Sequence, residues 1–313
     1  MRAWRQAPRL VVALLLLLFP ALLTDVDESR AARAPVPTGR ISEARPHLPA
    51  RVTVPAGWFR MGSTKAELRA ALTRFGAKEV RGRLRRVLGY FLQEELPQRR
   101  IYLSTFQIDR FEVTNRDYRR CVRRGRCTAI PAPSRLGAFA RPDAPVVNVT
   151  WTQAAAYCRF VGKRLPTEAE WEKAARGPFG RVWPWGARWH ERACNHGTLH
   201  PVQSLFHGSR TDGFYWVAPV GWFRFDRSYY GVRDLAGNAA EWVADWYRPG
   251  WWHGGKVPRY NPRGPRSGRG RLIKGGSWSR LRILSRPAAK RILVGGQSRA
   301  PDVGFRCARS RTP

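Results

Sequence analysis

The stretch Arg164–Glu172, which reads RLPTEAEWE, gives the strongest local structural signal in this chain. Thr167 and Glu170 have the spacing of a capping box, in which a hydroxyl and a carboxylate cap the first exposed amides of a helix. Trp171 and the alanines that follow it predict a buried helical stripe, and Gly177 ends the helix. Because capping and packing account for this stretch, we assign its three glutamates no catalytic role.

The amino-acid composition indicates that the rest of the protein is rich in loops. The chain has 313 residues, including 14 Trp, 29 Gly and 24 Pro. Glycine and proline interrupt regular elements, and large aromatic side chains fill the irregular gaps between them. We therefore predict an α+β fold with few regular strands and many ordered loops.

The formal net charge of +35 comes mostly from arginines spread over the whole chain. Such a charge attracts nucleic acid, anionic lipid headgroups and acidic glycans without sequence preference. The sequence has no zinc-finger, helix-turn-helix or RNA-recognition signature, so no specific nucleic-acid partner is expected, whereas contact with a membrane surface is. The alternative, that the arginines are ordinary solvated surface, stays open.

The N-terminal region resembles an export signal. Residues 1–24 combine a basic start with the apolar run Leu10 to Leu23, which predicts a signal peptide or a short N-terminal anchor. Residues 25–50 are rich in Pro, Ala and Arg and read as a linker. We therefore expect an exported protein, periplasmic or extracellular, and its five cysteines fit an oxidising compartment.

Several further elements are predicted from local patterns. A basic insertion at about 65–95 has apolar residues at helical spacing and predicts a helical hairpin. Imperfect alternation from Ile101 to Val113 predicts one strand, followed by a helix that Thr114 caps and a later helix over 152–161. Cys121 and Cys127 enclose a loop short enough for a local disulfide.

Three motifs together resemble the formylglycine-generating enzyme, or sulfatase-modifying-factor, family. They are Arg164–Glu172, Gly275–Arg286 (GGSWSRLRILSR) and Gly304–Ala308 (GFRCA). The resemblance implies a single domain over residues 51–311, with a sulfatase-modifying-factor fold related to the C-type lectin fold. It also implies a second disulfide between Cys158 and Cys307, which leaves Cys194 unpaired.

The oxidases of that family carry a redox-active cysteine pair shortly after the Gly-Gly-Ser. This chain has Arg280 and Ser285 at those places, and no cysteine lies between Cys194 and Cys307 to restore the pair. Reduced copper prefers thiolates, whereas a guanidinium binds no copper, so a copper cofactor is not expected. The chain thus resembles the cysteine-free branch of the family, and whether it is an enzyme stays open.

We predict a binding module or repurposed enzyme whose ligand is a peptide, a protein or an anionic glycan. Arginine and tryptophan suit such ligands through bidentate hydrogen bonds and stacking. The residues expected to line the ligand-binding groove are Ser277, Trp278, Arg280, Ser285 and Arg286.

Two other functions remain as alternatives. One is an authentic formylglycine-generating oxidase that modifies sulfatases, against which the missing thiols count. The other is a divergent non-haem metal enzyme built on a histidine-rich loop. The histidines of that loop are His190, His196, His200 and His207.

The resemblance also implies structural calcium at two places. Calcium binds carboxylate, amide and carbonyl oxygens, which irregular loops can supply. The matching positions are Asn195 and Asp212 (side chains) with His196 and Phe214 (carbonyls) in the first site, and Asn238 and Glu241 in the second. The alternative is that these side chains cap turns.

Overall fold

The computed structural model describes residues 50–76, 92–131, 137–199, 206–254, 257–294 and 297–310. All of them belong to one compact unit, Arg45–Leu199 together with Phe206–Pro313. The predicted signal segment, the linker up to residue 49, the middle of the predicted insertion and His200 lie outside the described residues.

The helices are short, and threonines begin most of them. They are α1 (Lys65–Ala71), α2 (Asn115–Arg123), α3 (Gly137–Ala140), α4 (Trp151–Phe160) and α5 (Glu168–Arg176). The Thr167 hydroxyl accepts a hydrogen bond from the Glu170 amide, and the Glu170 carboxylate caps the Thr167 amide at 2.9 Å. Thr114 caps α2 through the Asp117 amide. Both predicted caps are therefore confirmed.

Eleven strands of the described chain form four small sheets. They are β1 (Arg51–Val54), β2 (Gly57–Met61), β3 (Arg99–Leu103), β4 (Phe106–Asp109), β5 (Gly197–Leu199), β6 (Phe206–Gly208), β7 (Ala240–Tyr247), β8 (Gly270–Lys274), β9 (Lys290–Val294), β10 (Val303–Gly304) and β11 (Ala308–Ser310). The sheet orders are β1-β4-β11, β10-β7-β8-β9, β2-β3 and β5-β6. The β10–β7 pair is parallel and the other pairs are antiparallel.

The single strand predicted from Ile101 to Val113 is wrong. The chain forms β3 and β4 there, and they belong to different sheets. Between β3 and β4, side chains rather than a neighbouring strand accept hydrogen bonds from backbone amides. The Ser104 amide donates to Asn261 Oδ1 at 2.8 Å, and the Ala56 amide donates to Thr105 Oγ1. The apolar positions shift phase between Leu103 and Phe106, and reading that shift as imperfect alternation within one strand gave the wrong prediction.

Helix α5 lies at the centre of the core. Trp171 is fully buried and donates from Nε1 to a carboxylate oxygen of Glu241 at 2.9 Å. Two glutamates of α5 are also buried in ion pairs: Glu168 with Lys290 at 2.8 Å and Glu172 with Lys274 at 3.0 Å. Burial raises the pKa of Glu172, but Lys274 and the neighbouring Arg176 outweigh it and lower that pKa overall. Structural ion pairs therefore account for these carboxylates.

A buried pair of Arg306 and Glu241 joins the C-terminal segment to β7. The guanidinium donates to both Glu241 oxygens at 2.7 Å and to backbone carbonyls of Asp109, Arg110, Arg233 and Asp234. Neither residue is exposed. Each guanidinium nitrogen thus has an acceptor, which is the condition for a stable buried ion pair. We call this pair the Arg306 hub.

Two disulfides are present, as predicted. Cys121 joins Cys127 across the turn after α2, and Cys158 of α4 joins Cys307 beside the Arg306 hub. Cys194 is a buried free thiol. Burial first, and nearby carboxylates second, raise its pKa well above the usual range.

Arg271 of β8 is held by aromatic rings. Its guanidinium carbon lies 3.6 Å from the centre of the Trp151 ring and 3.5 Å from that of Trp246. Nη1 donates to the Ala244 carbonyl at 2.7 Å, and burial lowers the pKa of Arg271 to about 10. The arginine therefore acts as a structural cation between two indoles.

The described ends of the predicted insertion pack on the body of the domain. Helix α1 continues into a π-helical turn, Leu72–Gly76, and Phe75 packs in one cluster with Leu92, Leu281 and Ile283. The helical hairpin itself stays a prediction, because residues 77–91 lie outside the described chain. Among the described helices, none combines the length and hydropathy needed to span a bilayer.

Candidate functional site

The segment Gly275–Arg286 leaves β8 in a turn that fits tightly against α5. Gly275 has φ +80°, and a Cβ atom added there would lie 3.1 Å from the Trp171 ring. A side chain would therefore be strained and crowded at this position. The Gly-Gly-Ser thus sets where the following residues leave the sheet.

Arg280 belongs to a cluster around one buried carboxylate, Asp302. Arg280 Nε donates to Asp302 Oδ2 at 3.0 Å, and Arg291 binds both carboxylate oxygens at 2.6 and 3.0 Å. The hydroxyls of Ser277 and Ser279 complete the set at 2.9 and 3.2 Å. We call these five residues the Asp302 cluster. It brings two guanidiniums onto one carboxylate.

The charges within the Asp302 cluster shift the pKa values of its members. Burial opposes ionisation of Asp302, but Arg291 and Arg280 outweigh it and hold the pKa of Asp302 well below its usual range. Burial first, and repulsion from Arg291 second, lower the pKa of Arg280 to about 10. Arg280 is therefore charged at neutral pH.

Ser285, which the family resemblance places at the second cysteine position, is fully buried, and its hydroxyl has no hydrogen-bond partner within the described chain. It lies against Gly276, where an added Cβ would come within 2.4 Å of Ser285 Oγ. The neighbouring Ile283 is packed under Phe75. The two cysteine positions thus differ: 12% of the Arg280 side chain is exposed, and Ser285 is enclosed.

Arg286 does not line an open groove. Its guanidinium makes a bidentate pair with Glu95 at 2.9 and 2.7 Å, and both residues are buried. Ser63 also donates to Glu95 at 2.6 Å. Because Glu95 comes from the end of the insertion, this pair fixes the insertion to the segment that replaces the cysteine pair.

Trp278 is also buried, so its ring faces protein rather than an open groove. It packs against Trp216 and Phe139, with ring centres 4.7 and 5.7 Å away. Ser277 is fully buried within the Asp302 cluster. Of the five residues predicted for the groove, Arg280 therefore keeps direct access to a ligand in this conformation. The sequence misses Asp302 and Arg291, since neither stands in a motif.

The residues of the first predicted calcium site lie together. Asp212 accepts hydrogen bonds from the amides of His196 at 2.8 Å and Phe214 at 2.9 Å. Asn195 is fully buried, and no described donor reaches its Oδ1. Burial raises the pKa of Asp212 to about 7. The one orphaned oxygen of this set, Asn195 Oδ1, is of the type that calcium binds.

The second predicted calcium pair is arranged differently. Glu241 belongs to the Arg306 hub, and Asn238 Oδ1 accepts from the Ala218 amide at 2.8 Å and from Asn195 at 3.2 Å. These two side chains by themselves therefore do not fit a calcium site.

An acidic residue that no sequence motif identifies, Glu112, lies near this turn. Glu112 accepts from Asn238 Nδ2 and from the Ala239 amide, while no donor in the described chain reaches its Oε2. Burial and the neighbouring Asp234 raise the pKa of Glu112 well above its usual range. Glu112 is far from Asn238 in sequence and follows an ordinary strand, so no spacing could have identified it.

The histidine-rich loop does not assemble a metal site among the described residues. His190 is exposed, whereas His196 is buried with its ring nitrogens near the carbonyls of Gly197 (3.1 Å) and Glu191 (3.2 Å). Burial lowers the pKa of His196. Nothing is described for His200 or for the side chain of His207.

Comparison with known proteins agrees with this geometry. Residues 38–311 match the family described as sulfatase-modifying factor enzyme 1-like domain. The chain is 28% identical to the formylglycine-generating enzyme of Bos taurus over 331 residues, covering 91% of this chain and 80% of that protein. It is 31% identical to the inactive C-alpha-formylglycine-generating enzyme 2 of Mus musculus over 267 residues, covering 69% and 79%.

Among solved structures, PvdO from Pseudomonas aeruginosa has the same fold, with a TM-score of 0.63 and 21% identity over 83% of this chain and 94% of that one. The predicted α+β sulfatase-modifying-factor fold of the C-type lectin-like class is confirmed. This chain belongs to the sulfatase-modifying factor enzyme 1-like domain family.

Proposed function

We propose that this protein is an exported, non-oxidising binding module whose Asp302 cluster contacts an anionic group on a peptide, protein or glycan. One observation carries the proposal: where the oxidases of the family have a cysteine, Arg280 shares a single carboxylate with Arg291. A permanently charged fork at that place favours carboxylate or sulfate recognition over redox chemistry.

The arrangement of thiols argues against the alternative, a formylglycine-generating oxidase. The thiolate is the form that binds copper and attacks sulfur. The free thiol of the described chain, Cys194, is buried and has a raised pKa, so it is held as the neutral thiol. The relatives include one named as a formylglycine-generating enzyme and one named as inactive, so a family member without the activity has a precedent.

The partial exposure of two arginines supports ligand contact. The Arg280 side chain is 12% exposed and the Arg291 side chain is 19% exposed, whereas Asp302 below them is 4% exposed. An anionic ligand would meet both guanidiniums at this partly exposed edge of the Asp302 cluster. Trp278 is buried, so we no longer expect it to stack on the ligand.

Binding of oligogalacturonate, a polyanionic glycan, at physiological salt tests this proposal. We expect Arg280→Ala to weaken binding about tenfold, the loss of roughly one charge-assisted contact. Arg126→Ala removes an exposed arginine elsewhere and should leave binding unchanged. Equal losses of affinity in the two variants, or no loss of affinity in Arg280→Ala, would show that the binding is non-specific charge attraction.

We also propose structural calcium at the first site, held by Asn195 and Asp212 with the His196 and Phe214 carbonyls. The buried Asn195 Oδ1 supports this assignment. Calcium that binds the folded state raises the free energy of unfolding. Thermal unfolding with calcium and with chelator should therefore differ in the native protein and not in Asn195→Leu. Identical thermal unfolding midpoints of the native protein with calcium and with chelator would contradict the calcium proposal.

Export is part of the same proposal. Two disulfides support it, because such bonds persist in oxidising compartments. Alkylation of intact cells with a membrane-impermeant thiol reagent, after mild reduction, should label the protein. Labelling that requires cell lysis would place the protein inside the cell and overturn this part.

A further inference from the structure

Two neighbouring loops expose aromatic rings. Five large hydrophobic side chains are exposed in the described chain, and three of them lie on these loops: Phe179 (70%), Phe225 (75%) and Tyr229 (52%). The Phe179 and Tyr229 rings are in edge-to-face contact, with centres 6.0 Å apart. We give the name loop tip to five side chains of these two loops: Phe179, Arg181, Phe225, Arg227 and Tyr229.

The first loop is braced from below. Arg176 is buried and donates to the carbonyls of Gly180 and Arg181, both at 2.9 Å. Gly177 has φ +68°, and a Cβ atom there would lie 2.9 Å from the Tyr229 side chain. The turn is therefore fixed by the fold, and Phe179 is exposed on a rigid support.

The second loop alternates between buried and exposed side chains. Phe223 and Asp226 are buried, while Phe225 and Arg227 between and beyond them are exposed. The Asp226 carboxylate accepts from the Ala236 amide at 2.9 Å, which ties the turn to the core. Exposure of Phe225 is thus a property of the anchored turn, and an exposed apolar group of this kind indicates an interaction site.

The surroundings of the loop tip are positive. The loop from 177 to 182 contains no acidic residue, and the loop from 221 to 233 contains one, Asp226, which is buried. After burial, Arg227 and Arg233 are the groups that lower the pKa of Arg110. Arg227 is exposed on the second loop, and the Arg181 guanidinium lies 5.5 Å from the centre of the Tyr229 ring, so both loops carry positive charge.

We propose that the loop tip docks on the surface of an anionic lipid bilayer, with Phe179 and Phe225 entering the headgroup boundary and the arginines contacting lipid phosphates. Apolar side chains surrounded by basic residues bind such surfaces through burial and charge together. This inference is independent of the ligand-binding role of the Asp302 cluster.

Two other occupants fit less well. A sugar stacks on a flat ring surface and uses hydrogen bonds, but the Phe179 and Tyr229 rings meet at 89° and phenylalanine has no polar atom. A second copy of the chain in a two-fold contact would bring the same arginines face to face. A negatively charged lipid surface has neither disadvantage.

Co-sedimentation of the full-length chain with vesicles tests the proposal. We expect binding to phosphatidylglycerol mixed into phosphatidylcholine, weakening with salt, and little binding to phosphatidylcholine alone. Phe179→Ser and Phe225→Ser should each weaken binding by up to about tenfold, since each removes one partly inserted ring. Both rings are exposed, so both variants should keep the native unfolding midpoint.

Val161→Ser is the matched control, because Val161 is an exposed apolar residue at the end of α4, outside the loop tip. Val161→Ser should bind vesicles as the native protein does. Because all the variants carry the same N-terminal segment, any contribution of that segment to binding cancels in the comparison. Native binding by both phenylalanine variants would overturn the proposal. So would a change in their oligomeric state without a change in vesicle binding, which would assign the loop tip to a protein contact.

Discussion

The Arg306 hub and the Asp302 cluster are both arginine–carboxylate assemblies, yet they differ in exposure. Arg306 donates hydrogen bonds to one carboxylate and four backbone carbonyls and has no exposed surface. Asp302 instead faces two arginines that retain 12% and 19% side-chain exposure. An enclosed pair can only hold the fold together, whereas a partly exposed cluster can also contact an anion.

The contacts that hold this scaffold together do not depend on Arg280 or Ser285. The Arg306 hub, Trp171 and the Cys158–Cys307 disulfide hold the sheets around α5. None of them involves the two positions that replace the cysteine pair. Substitution there is therefore compatible with an intact fold.

The largest effect should come from Arg306→Leu. It leaves Glu241 charged, buried and without its partner, which costs about 3 to 5 kcal/mol of unfolding free energy. Urea unfolding measures this loss. Arg309→Leu, which removes an exposed arginine of β11, should change stability by less than about 0.5 kcal/mol. A loss below about 1 kcal/mol in Arg306→Leu would contradict a structural role for the hub.

Asp302→Asn should have a smaller effect at neutral pH, about 2 to 3 kcal/mol, because Arg280 and Arg291 can turn toward water. The pKa of Asp302 is lowered in the folded state, so its stabilisation is complete above the ordinary aspartate pKa of about 4 and is lost as pH falls below it. The difference between native and variant stability should therefore shrink in acid. A difference that stays constant down to the acid limit of folding would show that Asp302 is not ionised against the arginines.

Arg271→Ala tests an arginine held by rings instead of a carboxylate. Loss of the contacts to Trp151 and Trp246 should cost about 2 kcal/mol, as expected for a desolvated cation–π contact. Arg271→Lys keeps the charge but not the planar group, so it should recover only part of that loss in urea unfolding. Full recovery by lysine would mean that charge alone matters at this position.

Arg280→Ala should have the smallest effect on stability, less than about 1 kcal/mol, because Arg291 still neutralises Asp302. Thermal unfolding gives the value. A loss as large as that of Arg306→Leu would make Arg280 a structural residue and would remove the contrast between the two assemblies.

The sequence predicted those parts of the fold that depend on local chemistry. The caps at Thr114 and Thr167 and the short Cys121–Cys127 loop follow from spacing alone. The Cys158–Cys307 disulfide depended on family resemblance, because 149 residues separate the two cysteines. The break between β3 and β4 was missed, since it depends on Asn261, a distant residue.

The candidate site was predicted less completely, for the same physical reason. The motif identified Arg280 but could not reveal that Asp302 and Arg291 complete its surroundings. It also gave Arg286 and Trp278 a ligand-facing role, although Glu95 and Trp216 bury them. Contacts between segments far apart in sequence decide both outcomes, and local patterns do not contain them.

One assay tests the central claim most directly. The purified protein is incubated with copper, oxygen and a peptide containing Cys-Xaa-Pro-Xaa-Arg, and the peptide mass is followed. Because Arg280 and Ser285 supply no thiolate, the account predicts that the cysteine remains unchanged. Conversion of the cysteine to an aldehyde by the native protein would contradict it.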